Sequence, residues 1–134
     1  MKKMYITTCA ASLLIFGGVA TQVFADNHGD TSWHNEYRIW SPDDHTPART
    51  KTNTTSMYNL TNRLSGGEYQ TVWAALADGT DAAAGGHRQN SHVGVPNFLW
   101  NNAVENHGSG VSVRVNFQAW INGDADGVWS PDSV

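Results

Sequence analysis

Val111-Ser112-Val113-Arg114-Val115-Asn116-Phe117-Gln118-Ala119-Trp120-Ile121 is the run whose reading decides the fold. Val111, Val113, Val115, Phe117, Ala119 and Ile121 take every second position, with Ser112, Arg114, Asn116, Gln118 and Trp120 between them. Side chains on a strand alternate between faces, so the pattern predicts a half-buried β-strand with one apolar face and one wet face. β-Branched residues dominate the run and no proline interrupts it.

Working outward, Glu68 to Ala77 (EYQTVWAALA) is apolar on both faces and is expected to be a central strand. Its last residues favour helix, but Thr71, Val72 and Trp73 favour strand. Trp33 to Trp40 and Ser56 to Asn62 predict two further strands. Val93 to Trp100 predicts a short one that Pro96 restricts to an edge or bulge, and Gly127 to Ser130 a short closing strand. Ser41-Pro42-Asp43-Asp44, Gly66-Gly67, Asp78-Gly79 and Asn122-Gly123 carry turn chemistry. The glycine-rich stretch 81–91 and the polar stretch 101–110 read as loops. Short, evenly spaced strands without a long amphipathic helix predict an all-β chain, a small antiparallel β-sandwich.

Residues 1–25 stand outside that pattern. Lys2 and Lys3 precede the apolar run ASLLIFGGVA, and Val23-Phe24-Ala25 supplies small residues at the positions a signal peptidase reads. A cleaved secretory signal peptide is expected, leaving residues 26–134 as one domain with 26–32 flexible. Cys9, the chain's one cysteine, lies inside the leader, so no disulfide supports the fold and packing must do so. All six tryptophans lie after the leader, and each buries a large area.

Without Lys2 and Lys3, six basic side chains face 12 acidic ones. That balance argues against nucleic acid as a partner, and against adhesion by charge alone to anionic lipid or anionic wall polymers. The apolar core of the leader is too short to be a good membrane span, and no stable membrane insertion is expected.

Trp40-Ser41-Pro42-Asp43 recurs as Trp129-Ser130-Pro131-Asp132. The echo reads as a strand-ending device, a buried tryptophan before a proline turn, with ligand-binding tryptophans as the sharper alternative. Trp40, Trp120 and Trp129 are the candidate ligand-binding residues. Asn122-Gly123-Asp124-Ala125-Asp126-Gly127 has oxygen ligands at positions one, three and five of a Ca²⁺ loop, through Asn122, Asp124 and Asp126. Its twelfth position is Ser133, not glutamate, so a hairpin connection is the simpler expectation. His87 and His92, with His107, offer a zinc reading set against surface histidines that bind nothing. Cleavage after Ala25 would expose Asp26-Asn27-His28. Its α-amine, two backbone amides and imidazole suit square-planar Cu(II) or Ni(II). No Gly-x-Ser-x-Gly elbow, His-Glu-x-x-His or phosphate-binding glycine loop occurs, and a non-enzymatic protein is expected.

The segments Arg49 to Tyr58 (RTKTNTTSMY), Trp73 to Thr80 (WAALADGT) and Gly127 to Ser133 (GVWSPDS) together resemble a family of small secreted proteins of Gram-positive bacteria, catalogued as a domain of unknown function. Similar genes accompany bacteriocin-type export and immunity systems, and the lactococcin-type bacteriocins are a looser parallel: Sec-exported, cysteine-free, small and all-β. The resemblance implies a secreted, extracellular, bacteriocin-like antibacterial acting on a cell-surface receptor or cell-wall precursor, and carries over no catalytic residue. Two other classes remain: a carbohydrate- or cell-wall-binding module using exposed tryptophans, and a structural or interaction protein of the producer's envelope. Exposed aromatics aligned on one sheet face would favour glycan binding; fully buried tryptophans would disfavour it.

Overall fold

The structure, a computed structural model, describes residues 27–134; the expected signal peptide, Cys9 and Asp26 lie outside the described residues. In chain order the elements are β1 (Thr31–Tyr37), β2 (Asp43–His45), β3 (Arg49–Lys51), β4 (Met57–Leu64), β5 (Gln70–Leu76), β6 (Gln89–Ser91), β7 (Asn97–Leu99), α1 (Ala103–His107), β8 (Val111–Gln118) and β9 (Gly123–Ser130). They form an antiparallel sandwich. One sheet runs β1-β9-β4-β7; the other runs β2-β8-β5-β6, with β3 following β2 along the same edge of β8.

The alternation of β8 does what its sequence predicts. Val113, Val115, Phe117 and Ala119 are buried, while Ser112 and Trp120 are exposed and Arg114, Asn116 and Gln118 half-buried on the other face. β5 lies beside it, pairing Val72 with Phe117 and Ala74 with Val115 inward, and Thr71 with Gln118 and Trp73 with Asn116 outward. The sheets meet across the Trp33 and Phe117 rings, 4.6 Å apart, with Met57, Leu99, Val72, Tyr37 and Trp129 filling the space around them. β7 is the edge strand that Pro96 predicts.

Aliphatics alone do not fill this core. Between the layers, Asn35 donates to the Tyr37 hydroxyl at 2.9 Å, Tyr37 to Gln70, Gln70 to Thr61 at 2.9 Å, and Thr61 shares a hydroxyl contact with Ser91 at 2.7 Å. Trp33 donates to Asn59 at 3.0 Å in the same region. A buried polar group is tolerable when partnered, and these side chains partner one another across both sheets.

A second polar assembly ties the ends of the domain together. Lys51 and Asp132 are both fully buried and pair at 3.0 Å. The Lys51 ammonium also donates to the carbonyls of Thr55 and, at 2.8 Å, Pro131. The Asp132 carboxylate accepts from the Thr52 hydroxyl at 2.7 Å and from the backbone N–H groups of Asn27, Thr52 and Asn53. Burial pushes this carboxyl up, but the hydrogen bonds from Thr52 and Lys51 outweigh burial and hold it below the usual range. Asn27 is therefore fastened, not frayed: its side chain also donates to the Thr50 carbonyl and accepts from Arg49.

Three expectations need correction. β1 ends at Tyr37, and Arg38 and Ser41 close a tight turn with paired backbone bonds of 3.1 and 2.8 Å. Ile39 and Trp40 stand at its tip, and Trp40 is 79% exposed. The repeated tetrapeptide is thus not one device used twice, since Trp129 is fully buried. Second, the run read as a hairpin connection and a short closing strand is one strand, β9, in the interior of the four-stranded sheet. Its glycines serve close approach: a Cβ on Gly127 would lie 2.1 Å from the Leu60 carbonyl oxygen and 2.4 Å from the Trp33 ring. Third, the two stretches read as loops hold elements of their own: the connector 101–110 contains the short helix α1, and the glycine-rich stretch 81–91 ends in β6, which pairs with β5.

Candidate functional site

The wet face of β8 floors a groove of about 630 Å³. Strand alternation puts Arg114, Asn116 and Gln118 in a row along it. Trp73 from β5 lies beside the row, and β2 adds Asp43 and His45 on the same face, while Asp44 between them turns away and accepts from the Glu36 backbone N–H at 3.0 Å. Gln118 donates to Asp43 at 3.0 Å across the β8–β2 pair. The Arg88 guanidinium sits 3.7 Å from the centre of the Trp73 ring, a cation–π contact.

Beyond Gln118 the face continues into a second depression of about 280 Å³, lined by Thr71, Tyr69, Trp120 and Ile121. Trp120 is 65% exposed and Tyr69 46%. Ala119 donates to the Pro42 carbonyl at 2.9 Å, so the Trp40 turn runs beside the end of β8. Trp40 and Trp120 therefore share one end of the sandwich. The third candidate, Trp129, packs in the core and cannot meet a ligand. Amides, a hydroxyl, carboxylates and guanidinium groups thus line a track with Trp73 near one end and Tyr69 and Trp120 at the other.

A family model described as "Protein of unknown function (DUF2712)" matches residues 21–133. The chain belongs to the DUF2712 family. No curated protein and no solved structure matches it.

The other candidate residues of this DUF2712 protein lie elsewhere. Asp124 and Asp126 sit on the outer face of the four-stranded sheet, spaced along an extended strand and not around a loop, with Asn122 just before it. Arg63 takes both carboxylates, bonding Asp124 through two nitrogens at 3.0 and 2.9 Å and Asp126 at 2.7 Å. A guanidinium thus stands where the Ca²⁺ reading needs an ion. These bonds hold both carboxyls below their usual range: Arg63 leads at Asp124, and His34 leads at Asp126. His34 contacts Asp126 through Nδ1 and Glu36 through Nε2 at 3.2 Å, and its pKa is raised by both, Asp126 first. With both ring nitrogens facing carboxylates, His34 has neither one directed at a nucleophile.

The Cu(II)/Ni(II) motif is described from Asn27 onward. The Asn27 amide that would have to lose its proton to the metal donates to Asp132 at 2.8 Å, so square-planar coordination would break a bond that closes the domain. His87 and His92 flank β6: His87 stacks on Trp100 at 4.3 Å, and His92 packs against Tyr69 at 5.5 Å. Among the described residues no group of three His, Cys, Asp or Glu side chains is placed to hold a metal, and no helix is long and apolar enough to cross a membrane.

Sequence reasoning missed Trp73, Arg88 and Tyr69. The signal for Trp73 was present in the paired alternation of β5 and β8, because a residue opposite Asn116 must share its face. Arg88 comes from a loop whose path no local pattern fixes.

Proposed function

We propose that this DUF2712 protein is a secreted, non-enzymatic binding module that holds a cell-wall glycan along the outer face of its five-stranded sheet. The observation that carries this reading is the line Arg114, Asn116, Gln118 and Trp120 on one face of β8, flanked by Trp73 and Tyr69. Sugar rings have apolar C–H faces that pack on aromatic side chains and hydroxyl edges that exchange hydrogen bonds with amides and carboxylates. An open track longer than one ring suits a polymer better than a small metabolite enclosed on all sides. The excess of acidic over basic side chains fits recognition by shape and hydrogen bonding, with no call on bulk charge. A bacteriocin-like role against competing cells would work through the same face, by capture of a wall precursor.

Co-sedimentation of residues 26–134 with insoluble wall glycan tests the proposal. The protein should pellet, and Trp120→Ala and Trp73→Ala should each release it, while Phe98→Ala on the opposite sheet should not. Failure to pellet, or equal loss in all three variants, would overturn the reading. Inhibition of related bacteria that Trp120→Ala abolishes would add the antibacterial role.

A further inference from the structure

We infer that the Trp73 end of the groove is a carboxylate subsite, so that the preferred glycan carries isolated acidic groups; this rests on the glycan reading above. Two arginines, Arg88 and Arg114, line it. Arg114 is built into the sheet face: its Nε donates to Asn116 at 2.8 Å and its Nη1 to the Ala77 carbonyl at 3.2 Å. Both acceptors are neutral. Among the described residues no carboxylate forms an ion pair with Arg114; Asp78, on the turn beside it, feels its charge without bonding it. Gly79 makes room for the group, since a Cβ there would lie 2.8 Å from Nη2. Arg88 stacks on Trp73 and pairs with Asp81 at 3.7 Å, an exposed ion pair that a ligand carboxylate can compete with. Arg63 differs, its guanidinium being held by two carboxylates.

A half-buried arginine oriented by neutral oxygens keeps its charge available and is already in position, which lowers the cost of binding an anion. The adjoining indole supplies an apolar platform for the sugar bearing that anion. Across the groove stands Asp43, held by Gln118. It disfavours a ligand charged at every ring, and the acidity of the whole chain acts in the same direction. The arrangement fits one carboxylate per two or more sugars.

A matched pair of probes separates the subsite from the groove. The β-1,4-linked tetramer of N-acetylglucosamine and the tetramer alternating N-acetylglucosamine with N-acetylmuramic acid share a backbone and differ by two lactyl groups, each bearing one carboxylate. By calorimetry the acidic tetramer should bind about tenfold tighter to residues 26–134, as expected for a charge-assisted bond. Arg114→Gln and Arg88→Gln should each erase most of that difference, while Trp120→Ala should weaken both ligands alike. Arg88 lies in an exposed loop, so its variant keeps the test open should Arg114→Gln fail to fold. Equal affinity of the two tetramers, unchanged by either arginine variant, would overturn the subsite and leave glycan binding standing. No binding of either tetramer would overturn both.

Discussion

Replacing Asp132 with alanine removes one carboxylate and strands every group gathered around it. Lys51 would keep its two carbonyl contacts but lose its counter-charge in a site with no solvent exposure. The backbone N–H groups of Asn27, Thr52 and Asn53, and the Thr52 hydroxyl, would lose an acceptor now 2.8, 3.1, 3.3 and 2.7 Å away. Deleting one partner of a buried ion pair costs about 3–5 kcal/mol, and a donor left unsatisfied costs about 1–3 kcal/mol where water does not reach it. Asp132→Ala should therefore cost about 5 kcal/mol at pH 7, a large share of the stability of a domain this size. Lys51→Met should cost less, about 3 kcal/mol, because Asp132 keeps its other donors. Thr52→Val should cost about 1 kcal/mol. The sign with pH follows from the depressed Asp132 pKa: its contribution is present above the ordinary carboxylate value, near 4, and is lost as pH falls through the lower folded value. Urea unfolding followed by tryptophan fluorescence at pH 7 measures the ranking, and repeating it at lower pH should show a shallower acid loss for Asp132→Ala than for wild type. An Asp132→Ala variant within about 1 kcal/mol of wild type would refute the buried clamp.

Gly127→Ala should destabilise the domain by at least the ~3 kcal/mol upper end of the overpacking range, because its Cβ meets backbone as well as the Trp33 ring; thermal melts check this. Val115→Asp should leave the domain unfolded, seen by circular dichroism as loss of the strand signal, since the charge would be buried without a partner. His34 should titrate above an ordinary histidine: its contribution to stability is full below pH ~6.5 and is lost as pH rises through the raised value. Proton NMR of its ring should show the elevated midpoint, and Asp126→Asn should bring it down.

Much of the sandwich was legible because period-two alternation is a local signal that β8 carries over eight residues, and because β-branched and aromatic residues mark β5 although it is apolar on both faces. β9 was not, because Asn-Gly and Asp-Gly are turn formers when read locally, whereas Gly123 and Gly127 are there to let neighbouring backbone approach. That need exists only once β4 and β1 are in place on either side. Lys51 and Asp132 look like ordinary surface charges 81 positions apart, and only the assembled ends of the domain bury them together. The exposure of Trp120 follows from the β8 alternation, but no pattern distinguishes Trp40 from Trp129; the same tetrapeptide frames one exposed and one buried ring. For the groove, the wet face of β8 was already readable as a row of polar groups. What the sequence lacked was its company: β2 and the Arg88 loop arrive through long-range pairing.

The binding face is tested most directly by a ¹⁵N–¹H titration of residues 26–134 with the acidic tetrasaccharide, with all backbone and indole signals followed together. Saturable shifts should concentrate on Thr71, Trp73, Arg114, Asn116, Gln118 and the Trp120 indole, leaving Tyr58, Leu60 and Phe98 on the opposite sheet unmoved. Shifts confined to that opposite sheet, or none at millimolar ligand, would contradict the assignment of the site.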